Sequence, residues 1–260
     1  MNKYYYDLHI HSCLSPCGDN DMTPANIAGM AAVKGLQIVA LTDHNTTANC
    51  PAFFRACKNY GIIPVAGMEL TVSEDIHLLC LFRDLESAVK FGEEVDKHKI
   101  NIKNRPDIFG HQFVMDHEDN VIREEENLLL NATMLSLEDG TKLVREFGGV
   151  CYPAHIDRTS NGAVAVLGAF PDWLSYTAYE LSGSGVKADE EMKNPAIKNL
   201  KCVVSSDAHY LWDMSEAENY FLLDDEPYSS SYVRNKLIDL LQSLPRGEGG
   251  CESDRGGVLA

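Results

Sequence analysis

Positive charge is scarce in this sequence. Its 260 residues carry 39 acidic side chains against 22 lysines and arginines, a formal charge of −17. Duplex nucleic acids are gripped through basic patches, so this balance predicts no duplex partner and leaves room for a small phosphorylated ligand held by local charge. Long apolar runs are missing too. No window approaches the roughly 20 apolar residues of a membrane helix. The opening MNKYYYDLHIHS lacks the basic and apolar stretches of a signal peptide. No membrane partner and a cytoplasmic location are therefore expected. Internal repeats and low-complexity blocks are absent. Of the few large aromatics, Trp173, Trp212 and the tyrosines at 4–6 read as core or rim.

The composition is that of an ordinary globular protein, with 45% hydrophobic and 23% charged residues. The length suits one large domain or two small ones. Several of the eight cysteines stand in apolar runs such as HLLCLF and GGVCYPAH, where a thiol acts as a small hydrophobe. Cys13 and Cys17 have no second pair with which to build a structural zinc site. A reducing compartment and unpaired thiols are the reading.

Short apolar runs at 3–10, 37–41, 63–70, 76–82, 149–154, 176–181 and 201–205 predict strands. Helices are predicted at 23–35, 48–60, 136–147 and 230–243. The first opens on Thr-Pro, a cap followed by an N1 proline, and the first two end at Gly35 and Gly61. Such alternation predicts an α/β fold with a largely parallel sheet, closer to a barrel than to an open sheet. The stretch 83–146 breaks the rhythm, and within it 110–124 predicts a β-hairpin. One domain over 1–245 is expected, with an insertion at about 84–146 near the mouth and a loosely ordered tail at 246–260.

Six of the nine histidines fall at strand ends. In DLHIHS, residues i and i+2 of a strand face one way, so His9 and His11 present two imidazoles together. Asp7 shares their parity and could accept a second ring N–H. In LTDHN, His44 follows an apolar run at the strand mouth, where parallel α/β folds place sites; Asp43 could instead cap the next helix. Glu69 ends GMEL and His77 begins the next strand. About a turn at 73 they become opposite or diagonal neighbours, but only if the fourth strand runs antiparallel to the third. His155 in PAHIDR, and Asp207 with His209 in SSDAH, complete the set. Imidazole and carboxylate donors suit Zn, Mn or Fe. His98, His111 and His117 read as solvent-exposed.

DLHIHS, LTDHN, GMEL with HLLCLF, PAHIDR and SSDAH, in this order from Asp7 to His209, resemble the motifs of the PHP (polymerase and histidinol phosphatase) family. The resemblance implies a distorted (β/α)7 TIM-like barrel, with two or three divalent ions (Zn, Mn or Fe) at its mouth. The implied ligands are His9, His11, His44, Glu69, His77, His155, Asp207 and His209, with Glu69 bridging two ions. His44, Glu69 and Asp207 stand closest to the chemistry. It also implies phosphoester hydrolysis by a metal-bridged hydroxide, and the acidic charge narrows the expected substrate to a small phosphorylated metabolite, a phosphomonoester or nucleotide. Arg158 is the nearest guanidinium for phosphate, unless it pairs with Asp157 or another carboxylate. The sequence departs from the pattern after His11: Pro16 stands where an aspartate is common, leaving Cys17, Asp19 or Asp21 as substitutes. Amidohydrolase-like C–N hydrolysis and a non-catalytic metal-binding module are the rival readings.

Overall fold

The computed structural model describes residues 1–182 and 194–243; the tail expected at 246–260 lies outside the described residues. In chain order the strands are β1 (Asn2–Asp7), β2 (Ile38–Leu41), β3 (Ile63–Thr71), β4 (His77–Phe82), β5 (Phe113–Met115), β6 (Val121–Glu124), β7 (Val150–Pro153), β8 (Ala178–Ser182), β9 (Lys201–Ser205) and β10 (Tyr220–Leu223). The helices are α1 (Pro24–Val33), α2 (Cys50–Tyr60), α3 (Leu85–Asp96), α4 (Pro106–Phe109), α5 (Leu137–Glu146), α6 (Ala163–Leu167) and α7 (Ser230–Gln242). Local chemistry explains the ends. Thr23 caps α1 by accepting from the Asn26 amide, and Ser136 caps α5 through Asp139. Gly61 closes α2 in the left-handed conformation, at φ 68°.

Six strands form one sheet in the order β10-β1-β2-β3-β4-β7, with β1, β2 and β3 parallel. Strand β4 is antiparallel to both β3 and β7, and β10 is antiparallel to β1. The parallel pair β8-β9 stands apart as a ladder but is tied to the segments that follow β7 and β1. The Ile156 amide donates to the Glu180 carbonyl, and the His11 amide to the Ala208 carbonyl. The sheet is therefore curled, as in a TIM-like fold. Strand β10 has no counterpart among the predicted strands. Its YFLL run is short and follows a polar loop, so periodicity alone does not separate it from a loop segment.

Period-two alternation divides the core. Ile38, Ala40, Ile63, Val65, Leu79 and Leu81 face inward against Val233, Leu237, Ile238 and Leu241 of α7. Val39, Leu41, Met68, Leu78 and Cys80 face outward against Ile27, Phe53 and Phe91 of α1, α2 and α3. Thus α7 packs on the inward-facing side chains of the sheet. Strand β1 ends at Asp7, three residues before the predicted end. The Leu8 amide there donates to the Ser205 hydroxyl, and the Ile10 amide to the Thr42 hydroxyl, in place of a main-chain ladder. Leu8 belongs to the inner cluster and Ile10 to the outer one, so the parity slips where His9 begins.

The stretch 83–146 holds α3, α4, the antiparallel β5–β6 pair predicted at 110–124, and α5. It hydrogen-bonds to the loops that carry the histidines. The Phe113 amide donates to the Cys13 carbonyl and the Met115 amide to Asn49 Oδ1. Asn45 Nδ2 donates to the Leu129 and Asn131 carbonyls. Gly110 approaches so closely that a Cβ there would stand 2.4 Å from the Pro16 carbonyl oxygen. No described helix is long and apolar enough to cross a membrane.

Candidate metal centre

All six strand-end histidines and both carboxylates converge on one buried point, with Glu69 at its centre. Its Oε1 lies 2.7 Å from His77 Nδ1, 3.0 Å from His155 Nε2 and 3.3 Å from His9 Nε2. Its Oε2 lies 3.1 Å from both His11 Nε2 and His44 Nδ1. Asp207 Oδ1 stands 3.2 Å from His9 Nε2 and 3.0 Å from His11 Nε2. Strand register produces the first of these contacts. His77 pairs with Thr71 in the β3–β4 ladder, which makes Glu69 its diagonal neighbour on the same face.

The donor set fits divalent cations. His44 Nδ1, His77 Nδ1 and Asp207 Oδ1 are buried beside oppositely charged groups, yet none has a hydrogen-bond partner of acceptable geometry. Buried polar atoms are normally satisfied, so donors aimed past one another at a shared point mark a coordination site. Three groups of ligand atoms each lie within 4.8 Å of one another: His9–His11–Glu69–Asp207, His44–Glu69–His77 and His11–His44–His209.

A polar shell sets the tautomers. The single hydroxyl proton of Ser15 goes to Asp43 Oδ1 at 2.8 Å, so Ser15 Oγ accepts from His11 Nδ1 at 3.0 Å. His11 thereby turns Nε2 inward. His9 donates its Nδ1 proton to Glu180 Oε2 at 2.9 Å, and His209 donates its own to the Asp207 carbonyl at 2.8 Å. Glu180 also accepts the His155 amide at 3.1 Å, tying two ligand-bearing segments together. Asn45, His155 and Asp207 have φ of 52°, 27° and 52°. Such left-handed non-glycine residues cost about 1–3 kcal/mol each, and they cluster where strain is held by the surrounding structure.

The field inside is divided. Burial lowers the pKa of His9, but Glu180, Asp207 and Glu69 outweigh it and raise it well above the usual imidazole range. Burial opposes protonation of His11 as well, yet the adjacent carboxylates of Asp207 and Glu69 lift its pKa to about 9. Burial keeps His44 well below that range and holds His209 at about 4, so both are neutral bases near pH 7. Burial also disfavours ionised Glu69, but the imidazoles of His77, His9 and His44 prevail and lower its pKa.

Several expectations need correction. Asp7 does not touch the histidines; it accepts from the Ser206 amide and hydroxyl and the Ser215 amide, bracing the segment that carries Asp207. The acceptor for His9 is Glu180, which sequence reasoning missed. Its signal was a lone carboxylate within the apolar run AYEL. Asp43 caps no helix, since α2 begins at Cys50; it binds Ser12 and Ser15 instead. Arg158 takes the alternative that the sequence left open, pairing with another carboxylate, Asp207 Oδ2, at 2.5 Å at the rim of the centre. Cys17, Asp19 and Asp21 stay outside the three ligand groups. Burial, then the charges of Glu69 and Asp207, push the Cys17 thiol pKa up. The Asp19 carboxylate accepts from the Asp21 amide. His98 and His111 lie outside the centre, paired with Glu94 and Glu124.

The family model described as "PHP domain" matches residues 7–144, just over half of the chain. An uncharacterized protein of Methanocaldococcus jannaschii is 33% identical over 102 residues, which are 36% of this chain and 60% of the relative. A 5'-3' exoribonuclease of Haemophilus influenzae is 33% identical over 79 residues, 29% of this chain and 28% of the relative. The chain thus spans less than two thirds of the curated relatives it matches. Among solved structures, the lesion-specific Endonuclease Q of Pyrococcus furiosus superposes with a TM-score of 0.58 at 17% identity, over 98% of this chain and 74% of that one. A protein of Bifidobacterium adolescentis, provisionally a metal-dependent phosphoesterase, gives 0.52 at 18% identity over 78% and 87%. Endonuclease Q in complex with a 27-mer duplex bearing an abasic lesion gives 0.53 at 17% identity over 86% and 60%. These likenesses show the fold.

They also overturn the partner expectation that set a nucleic-acid duplex aside. Endonuclease Q binds a DNA duplex on this same fold. The expectation rested on total charge, which describes a whole surface, whereas phosphate recognition at a site is set by the groups around that site.

Proposed function

Because the chain belongs to the PHP domain family, a family of metal-dependent hydrolases, we propose that it cleaves phosphoester bonds of nucleotides or nucleic-acid strands at a centre of two or three ions of the Zn, Mn or Fe type. The observation that carries this reading is the split environment of the Glu69 carboxylate: His77, His155 and His9 on one oxygen, His11 and His44 on the other. A carboxylate so divided suits a bridge between two cations. The exoribonuclease and Endonuclease Q likenesses support a nucleotide-containing substrate. The curled sheet, with β8–β9 tied to the segments that follow β7 and β1, supports a distorted seven-stranded barrel in which 84–146 is inserted near the mouth of one domain covering about 1–245. The thiols of Cys13, Cys17, Cys50, Cys57, Cys80 and Cys151 form no disulfide, which supports a reducing, cytoplasmic compartment.

When bound, the ions supply Lewis acidity toward the phosphoryl group and acidify water. His9, His11, Glu69 and Asp207 would hold one ion and His44, His77 and Glu69 a second, with His209 standing beside His11 and His44 on the flank where a third would sit. Glu180 and Ser15 fix the tautomers that turn His9 and His11 Nε2 inward. Arg158 can exchange its bond to Asp207 Oδ2 for a bidentate grip on phosphate oxygens. Burial keeps His44 and His209 neutral near pH 7, the form in which an imidazole can ligate an ion.

The test is metal analysis of protein prepared without chelators, joined to hydrolysis assays on phosphomonoesters, mononucleotides, single-stranded oligonucleotides and an abasic duplex. At least two ions per chain and metal-dependent release from a nucleotide-containing substrate are expected. Fewer than two ions per chain overturns the bridged centre, and inertness toward every phosphoester overturns the activity.

A further inference from the structure

The segment after His209 presents two large aromatic rings to solvent although its backbone is tightly held. Tyr210 and Trp212 are 41% and 70% exposed. Their rings stack on each other with centroids 5.2 Å apart and planes 18° from parallel. The main chain beneath them is pinned at successive points. The His209 carbonyl accepts from the Asp19 amide, and the Asp213 amide donates to the Tyr210 carbonyl. Lys34 Nζ holds the Trp212 carbonyl at 2.9 Å, and the Ser215 amide donates to Asp7. Met214 beside them is buried, at 2% exposure. A tryptophan that packs usually hides most of its surface, so rings left in water by an immobilised loop are not serving the core.

The place of this pair matters. Tyr210 follows His209 directly, so its Cα is about 3.8 Å from that of a residue whose imidazole packs on His11 at 4.5 Å. We propose that Tyr210 and Trp212 form a stacking platform for the nucleobase attached to the phosphoester at the metal centre. This deepens, and rests on, the nucleotide reading above. Stacking needs no positive potential and every base offers a π face, so such a platform suits an acidic protein. It divides recognition into phosphate at the ions and Arg158, and base on the rings. Two sources carry that chemistry, a free nucleotide and an unpaired strand end, and the test separates them.

The chain has only two tryptophans, Trp173 and Trp212. In the metal-loaded Trp173→Phe protein, fluorescence therefore reports Trp212 alone. Titration with the nonhydrolysable phosphonate analogue of AMP, or with a single-stranded hexanucleotide, is expected to give saturable quenching. Quenching by the analogue assigns the platform to free nucleotides as well, and quenching by the hexanucleotide alone assigns it to strand ends. Ribose 5-phosphate is expected to leave the signal unchanged. The kinetic readout is the ratio of kcat/KM for the base-bearing substrate to that for ribose 5-phosphate. It is expected to fall between about five- and a hundredfold in Trp212→Ala, and to stay at the wild-type value in Trp173→Ala. No quenching by either base-bearing probe, equal quenching by ribose 5-phosphate, or an unchanged ratio in Trp212→Ala overturns the platform. A protein whose Trp212 is quenched by bases but which cleaves no phosphoester keeps the platform and loses the proposed activity.

Discussion

Glu180 Oε2 accepts a hydrogen bond from His9 Nδ1 at 2.9 Å while both residues are buried. The bond fixes the ring and turns Nε2 toward Glu69 and Asp207. Carboxylate partners of this kind typically contribute 10- to 100-fold in metal affinity. Glu180→Gln, which keeps a hydrogen-bonding shape without the charge, is expected to weaken the tightest-held ion by about tenfold. Glu180→Ala is expected to reach about a hundredfold, measured by competition with a chromophoric chelator. Equal affinity in all three proteins removes Glu180 from the centre.

Glu69 touches five imidazoles, so its loss cannot be absorbed by one neighbour. Glu69→Gln is expected to lower the metal content to one ion or fewer per chain, by elemental mass spectrometry, and to abolish hydrolysis. Retention of two ions would show that Glu69 does not bridge.

The charge of the metal-free centre depends on pH. The His11 pKa is raised to about 9 and that of His9 is also raised, so at pH 7 both rings hold protons that an ion must displace. Calorimetry at pH 7 in buffers of different ionisation enthalpy should therefore show proton release on metal loading. Affinity should climb with pH until about 9. For the apo fold the sign is opposite. A histidine pKa raised on folding stabilises fully below about 6.5 and loses that contribution as pH rises through about 9. The chelated protein should then show a Tm that falls across this interval, while the metal-loaded protein does not share that fall. A flat apo Tm would contradict the protonated pair.

Gly67 lies between the strands that carry His44 and His77. A Cβ there would meet the Cys80 carbonyl oxygen at 2.7 Å and Thr42 Cγ2 at 2.8 Å. Neither backbone nor a buried threonine yields easily, so Gly67→Ala should cost about 1–3 kcal/mol of stability by chemical denaturation. Metal affinity should drop with it, because β2 and β4 are pushed apart. Unaltered stability would mean that the strands can separate without cost.

Much of the centre was legible in one dimension, for a definite reason. Alternation in a strand puts i and i+2 on one side, so HIH could be read as a pair. The His77–Glu69 contact required only that β4 reverse direction. Glu180 was not legible, because a buried acid in AYEL differs from a surface acid only in what folds over it. Asp7 misled for a related cause: the backbone parity slips at Leu8, and i+2 logic fails where the ladder hydrogen bonds pass to Ser205 and Thr42. The hairpin at 110–124 was evident from its apolar flanks, while β10 was too short to stand out.

What the sequence by itself determined is the chemistry available: six histidines and two carboxylates at strand ends, in an order that resembles one family, with caps and glycines that set helix limits. Those are properties of near neighbours, and local sterics and hydrogen bonding decide them. Tertiary structure alone decided which carboxylate holds His9, that Arg158 turns to Asp207, and that Tyr210 and Trp212 stay in water beside the centre. Each depends on residues between about 30 and 200 positions apart, brought together only when the sheet curls. Total charge, the property most visible in the sequence, said least about the partner, because a potential summed over the surface does not describe the field inside one pocket.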